Sequence, residues 1–120
     1  MDAASAKRYF SWAQIQKSIG STTNKAMEQF KPTVIVAIAG GGLIPARLVR
    51  TFIKSKSYSN LPIQTIALSL YDDEDVMGAK VVRTQWMAPE FDISGHHLLL
   101  VDEVDDSRKT LAYACQEMLR

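Results

Sequence analysis

Four carboxylates fall within five positions near the end of the chain, directly after the apolar run Leu98–Val101. These carboxylates are Asp102, Glu103, Asp105 and Asp106. The next residues, 107–110, read Ser-Arg-Lys-Thr and open a pattern with helical spacing. Backbone N–H groups at a helix N-terminus bind anions such as phosphate. Carboxylates beside such an anion site predict a ligand that carries sugar hydroxyls, a phosphate and a divalent cation.

The acidic turn also has a simpler interpretation as a helix cap. Asp105 or Asp106 would suit the N-cap of a helix that begins at Ser107. Adjacent carboxylates at one cap repel each other, and one carboxylate is enough. Asp102 and Glu103 lie too far upstream to share that role. The cluster as a whole therefore favours ligand binding over capping.

A run of three glycines, Gly40–Gly42, follows the apolar run 34–39 and precedes Pro45, which suits the first turn of a helix. A dinucleotide-binding loop would need glycine at position 45, and a nucleoside-triphosphate loop needs Gly-Lys before Ser or Thr. Neither pattern is present. A loop with accessible N–H groups and little side-chain bulk fits a close approach to an anion. A plain strand-to-helix turn is the alternative for this segment taken alone.

The spacing of apolar residues predicts the elements that position these two segments. Helices are predicted from Trp12, where Ser11 is the cap and Lys31-Pro32 the end, near Pro45–Lys54, and from Ser107. Strands are predicted at 34–39, 62–68 and 97–102, with an edge strand at 80–86. An acidic loop is predicted from Ser69 to Asp75. Alternation of helices and strands predicts an α/β fold with a mainly parallel β-sheet flanked by helices. Ligands of such sheets bind beyond the C-terminal strand ends, where the glycines and the acidic turn would face one cleft.

The 120 residues fit one domain, 1–120, and its 47% hydrophobic and 22% charged residues are typical of a globular protein. The net charge of +1 gives no basis for attraction to nucleic acid or to a membrane surface. No apolar run reaches the ~20 residues that span a bilayer.

The one cysteine, Cys115, is interpreted as a small core residue, and a single cysteine favours a cytoplasmic setting. His96 and His97 are predicted on the surface, and Trp12 and Trp86 are interpreted as packing residues, with stacking on a planar ligand as the alternative.

Residues 101–111 resemble the phosphoribosyl diphosphate (PRPP) motif of type I phosphoribosyltransferases, and residues 38–47 are similar to the diphosphate loop of that family. Ser69, Leu70 and Tyr71 begin what would be its flexible catalytic loop. Together with residues 83–86, the resemblance points to the purine-salvage branch, in particular to the hypoxanthine, guanine and xanthine phosphoribosyltransferases of lower eukaryotes. It implies transfer of the 5-phosphoribosyl group from PRPP to one of these purine bases, release of diphosphate, a need for Mg²⁺, and a homodimer or higher homo-oligomer.

The resemblance also implies roles for individual residues. Asp102 and Glu103 would bind the ribose hydroxyls and hold Mg²⁺, and Asp106 would be the catalytic acid or base near purine N7. The 5′-phosphate would be bound by Asp105, Asp106, Ser107, Arg108, Lys109 and Thr110. The diphosphate would be bound by Ala39, Gly40, Gly41 and Arg47, although a solvated helix face is the alternative for Arg47. Family members often have a non-proline cis peptide in this glycine loop.

Three departures from the family pattern qualify the expectation. Many members have glycine where this chain has Arg108, and an apolar residue where it has Asp105. Members also continue beyond the last helix with further strands and a hood that reads the purine, so the hood elements are expected to be missing from a chain that ends at Arg120. A non-catalytic PRPP-binding module, or an inactive truncated product, is therefore the alternative to an active enzyme.

Overall fold

A computed structural model describes residues 6–57, 59–71, 80–103 and 109–119, which form a sheet with helices on both sides. The elements are α1 (Trp12–Gln29), β1 (Val34–Ala39), α2 (Leu43–Ser57), β2 (Ile63–Tyr71), β3 (Lys80–Gln85), β4 (Leu98–Val101) and α3 (Lys109–Met118). The strand order is β3-β2-β1-β4. β1 pairs in parallel with both β2 and β4, whereas β3 is antiparallel to β2. The predicted α/β fold with a mainly parallel sheet is confirmed.

β1 is the central buried strand, and its side chains alternate between two hydrophobic cores. Val34, Val36 and Ile38 pack with Ala114 of α3. Ile35 and Ala37 pack on the opposite face with residues of α2, which are Ala46, Val49 and Ile53. Residues 34–37 are fully buried because both faces of β1 are covered, as its continuous apolar run predicted.

Helix α1 packs on α2, and this placement corrects part of the sequence prediction. Gly20 approaches the Phe52 ring so closely that a Cβ at position 20 would lie 3.0 Å from it. The predicted apolar face of α1 included Trp12 and Ile15, yet both are exposed, Trp12 by 65%. Ile19 and Met27 of the predicted face do pack against the core, and Gly20 and Thr23 are buried beside them, because the small glycine permits the close approach to Phe52.

Helix α1 begins where the sequence predicted, and its first turn is fixed by a capping box. The Gln14 backbone N–H donates to Ser11 Oγ at 3.1 Å, and the Ser11 N–H donates to Gln14 Oε1 at 2.7 Å. Both contacts satisfy N–H groups that have no partner within the helix. Among the helices of the described residues, none is both long and apolar enough to cross a membrane.

Two further predictions are corrected by the structure. The loop predicted from Ser69 begins later, because Ser69, Leu70 and Tyr71 continue β2 and pair with β3. Cys115 is exposed on α3, so its prediction as a core residue is wrong, whereas Ala114 beside it is fully buried. The side chains of adjacent helix residues point about 100° apart, so Ala114 can face the sheet while Cys115 faces solvent.

Candidate functional site

The glycine loop and the acidic turn meet at one edge of the sheet. β1 and β4 are parallel neighbours, with Ala37 opposite Val101 in the register. Gly40 and Asp102 therefore leave the same edge of the sheet side by side. The structure therefore confirms that the two segments begin at the same sheet edge, as the sequence predicted.

The glycine loop is a tight connection between β1 and α2. The Ala39–Gly40 peptide bond is cis, as the resemblance implied. The Gly42 N–H donates to the Ile38 carbonyl at 2.9 Å, and Gly42 in turn accepts from the Ala46 N–H at 3.0 Å, within the first turn of α2. Gly40 is exposed, and a Cβ added there would have no atom within 4 Å. The loop thus leaves open space at Gly40, as an anion site needs.

Gly42 lies against the backbone of both strands. A Cβ at this position would overlap the Val101 carbonyl oxygen and would lie 2.6 Å from the Ile38 carbonyl oxygen. Glycine is therefore required here by space, because backbone oxygens of paired strands cannot rotate away. This contact fixes the glycine loop directly against the strand end that carries the acidic turn.

The two carboxylates that follow β4 point to different surroundings. Asp102 is half-buried, and its Oδ1 accepts a hydrogen bond of 2.8 Å from the Glu103 N–H. Glu103 is exposed, and its side chain lies across Gly41, where a Cβ would come within 2.6 Å of Glu103 Oε1. Although they are adjacent in the sequence, the two side chains therefore lie in different places. Asp102 lies beside α1 and α2, and Glu103 lies over the glycine loop.

A cavity of about 290 Å³ lies between α1, α2 and the end of β4. Its lining includes Asp102 and the α1 residues Ser18 and Thr23. The Thr23 hydroxyl is buried and has no hydrogen-bond partner in the described part of the chain. An unpaired buried hydroxyl destabilises the fold, because it has left water without a replacement partner.

The phosphate-binding residues predicted from the acidic motif are only partly described. Lys109 and Thr110 form the first positions of α3, and helix N-termini are places where proteins bind anions. Asp105, Asp106, Ser107 and Arg108 lie outside the described residues, as does the acidic loop 72–75. Their predicted roles, including that of Asp106 as acid or base, stay predictions.

Arg47 and the segment 83–86 occupy places that bear on their predicted roles. The guanidinium of Arg47 donates from Nη1 to Thr51 Oγ1, so in this conformation it lies along the surface of α2. Arg83 stacks over the Trp86 ring, with its Cζ 4.8 Å from the ring centre. Trp86 is half-buried against the core that contains Val34, which confirms its interpretation as a packing residue.

Sequence reasoning missed the reasons why glycine occupies positions 41 and 42. It also missed the buried Thr23, because the sequence does not reveal whether a threonine within a helix is buried or exposed. The only available signal at the loop was the run of three glycines itself. That run predicted an accessible backbone but not which atoms approach each residue.

The carboxylates present suit a magnesium ion that is bound mainly through substrate and water. Mg²⁺ prefers oxygen ligands, keeps several waters and needs only one or two protein carboxylates. Asp102 and Glu103 supply two carboxylates at one sheet edge. The described residues hold no group of three or more His, Cys, Asp or Glu side chains that would form a complete protein cage.

Comparison with known proteins gives consistent similarities over nearly the whole chain. Residues 5–120 match the family described as the phosphoribosyl transferase domain. The chain is 47% identical to a hypoxanthine-guanine phosphoribosyltransferase from Schizosaccharomyces pombe, over 93% of this chain. It is 41% identical to xanthine phosphoribosyltransferase 1 from Saccharomyces cerevisiae, over 97% of this chain.

A solved structure shares the fold as well as the sequence pattern. The purine phosphoribosyltransferase from Pyrococcus horikoshii superposes with a TM-score of 0.75 at 31% identity, covering 92% of this chain and 67% of the other. The chain spans 59% of the length of the Schizosaccharomyces pombe relative and 62% of that of the Saccharomyces cerevisiae relative.

Proposed function

The chain belongs to the phosphoribosyl transferase domain family, and from this premise we propose that it transfers a 5-phosphoribosyl group from PRPP to a purine base. The observation that carries the proposal is the meeting of the glycine loop with the acidic turn at the C-terminal edge of β1 and β4. The reaction yields the nucleoside monophosphate and diphosphate. The names of the relatives support a purine acceptor, namely hypoxanthine, guanine or xanthine.

Each part of the edge has a chemical task in this proposal. Backbone N–H groups of Gly40 and Gly41 bind the diphosphate, and the open space at Gly40 supports this role. Asp102 and Glu103 accept hydrogen bonds from the ribose hydroxyls, and bonds to charged acceptors are the stronger kind. The first turn of α3, with Lys109 and Thr110, binds the 5′-phosphate.

Asp106 is the proposed acid or base for the purine. Positive charge develops on the ribose as the bond to diphosphate breaks, and the carboxylates at the strand end stabilise that charge electrostatically.

Mg²⁺ is the proposed cofactor, held by Asp102 and Glu103. When bound, it neutralises negative charge on the diphosphate. We also propose that the protein works in the cytoplasm as a homodimer or higher homo-oligomer, with PRPP and a purine base as its partners.

The proposal is tested first by calorimetric titration of the chain with PRPP, with and without Mg²⁺. Binding is expected to be saturable and magnesium-dependent. Asp102→Asn is expected to weaken binding by ~10-fold or more, because a hydrogen bond to a charged group contributes about 1.5–3 kcal/mol. Asp92→Asn is the matched control, since it makes the same charge change in the segment that precedes β4 and should leave the affinity unchanged. A folded chain that does not bind PRPP would refute the proposal.

The transfer itself is tested by following nucleotide formation from PRPP with hypoxanthine, guanine and xanthine in turn. Asp106→Asn is expected to lower kcat by ~10²–10⁴-fold, the usual contribution of a general acid or base. Unchanged turnover in that variant would remove Asp106 from the mechanism. In the complete gene product, PRPP binding without turnover on any of the three bases would identify a non-catalytic PRPP-binding module.

A further inference from the structure

We propose that Gly41 is a positioning residue for Glu103, an inference that rests on the proposed function. The missing side chain at position 41 lets Glu103 lie across the glycine loop, where its carboxylate can reach the ribose hydroxyls of the substrate. Gly41 thus couples the part of the site that binds diphosphate to the part that binds ribose.

The contact between the two residues is close and specific. A Cβ at Gly41 would lie 2.5 Å from Glu103 Cγ and 2.6 Å from Glu103 Oε1, distances that real Cβ atoms essentially never show. The three atoms nearest to that Cβ all belong to the Glu103 side chain. A side chain at position 41 and the observed Glu103 conformation therefore exclude each other.

The group that gives way is the Glu103 side chain. Glu103 is exposed and ends in rotatable bonds, so its carboxylate can move into solvent at little energetic expense. Gly42 differs in this respect, because its added Cβ would meet the Val101 and Ile38 backbone. A methyl group at position 41 should hence displace a functional carboxylate while it leaves the strands in place.

The backbone of Glu103 is tied to its neighbour in the sequence. Its N–H donates to Asp102 Oδ1 at 2.8 Å. The Glu103 side chain is then the part that remains adjustable, and Gly41 is the surface on which it lies. This arrangement explains how one residue of the loop can affect ribose binding without contacting the ribose.

The role of Gly41 is tested by a double-mutant cycle that measures PRPP affinity by calorimetry at saturating Mg²⁺. Gly41→Ala and Glu103→Ala are each expected to weaken binding by ~10-fold or more. The double variant is expected to bind no more weakly than Glu103→Ala alone, since the methyl group then has nothing to displace. Independent losses that multiply in the double variant, or an unchanged affinity in Gly41→Ala, would overturn the inference.

A second measurement does not depend on the ligand. In the wild-type chain, nuclear Overhauser contacts between the Gly41 Hα and Glu103 Hγ protons are expected, and their absence would also overturn the inference. The thermal midpoint of Gly41→Ala is expected to stay near that of the wild type, which separates positioning from a loss of fold. Failure of the wild-type chain to bind PRPP would refute the proposed function, whereas multiplying losses in a chain that binds PRPP would refute only the role of Gly41.

Discussion

Replacing Gly42 with alanine should destabilise the fold, because its added methyl group meets backbone atoms. The Cβ would overlap the Val101 carbonyl oxygen of β4 and lie 2.6 Å from the Ile38 carbonyl oxygen of β1. Both oxygens belong to a strand pair that is fixed by parallel hydrogen bonding. The methyl group can be accommodated only if the loop moves away from the sheet or the two strands separate.

The size of the effect follows from these contacts. Overpacking a well-packed site costs about 1–3 kcal/mol, and a clash with backbone atoms belongs at the upper end of that range. Alanine also restricts the unfolded chain, which offsets about 0.5–1 kcal/mol. The expected net loss is about 2 kcal/mol, a fall of roughly 8 °C in Tm for a domain of this size.

The assay is thermal and urea unfolding followed by circular dichroism. Gly40→Ala is the matched control for stability, since it makes the same substitution two residues earlier, where a Cβ would have no atom within 4 Å. Its free energy of unfolding is expected to change by less than about 1 kcal/mol. Equal midpoints for the Gly40→Ala and Gly42→Ala variants would refute the steric argument.

Three further outcomes are expected elsewhere in the fold. Ser11→Ala removes the cap of α1 and should lower the free energy of unfolding by ~1 kcal/mol in urea denaturation. Thr23→Val should raise it by ~1 kcal/mol, because the buried hydroxyl has no partner in the described part of the chain, whereas Val at the exposed Thr22 should have no such effect. The pKa of Asp92 is held below its ordinary value of 3.8 mainly by the Ser94 backbone N–H, so an NMR titration should give a lower value in the folded chain. Its stabilising contribution is present above the unfolded pKa and is lost as the pH falls through the folded one, and a folded pKa at or above 3.8 would contradict this.

Local patterns predicted most of the fold because the strongest signals were local. The continuous apolar run at 34–39 could be stable only as a strand covered on both faces, and β1 is that strand. The Ser11 cap marked the first residue of α1 correctly. The end of β2 was misplaced because Ser69–Tyr71 are ordered by pairing with β3, a contact that depends on residues farther along the chain.

The apolar face of α1 was predicted correctly only in part. Ile19 and Met27 of that face pack against the core that contains Ile35, whereas Trp12 and Ile15 nearer the start of the helix are exposed. Trp12 lies only about 20° around the helix from the buried Thr23, so the two residues share a face. Periodicity identifies which residues share a helix face but not how much of the helix length a neighbouring element covers.

The three consecutive glycines of the loop have three different surroundings. Gly40 faces open space, Gly41 faces the Glu103 side chain, and Gly42 faces the Val101 backbone. Those partners lie far along the chain, so the local sequence could predict an accessible loop but could not separate the three positions. Alanine substitutions should separate them, because only Gly42→Ala acts on stability and only Gly41→Ala acts through Glu103. The loop thus presents open space, a side-chain contact and a backbone contact in three consecutive residues.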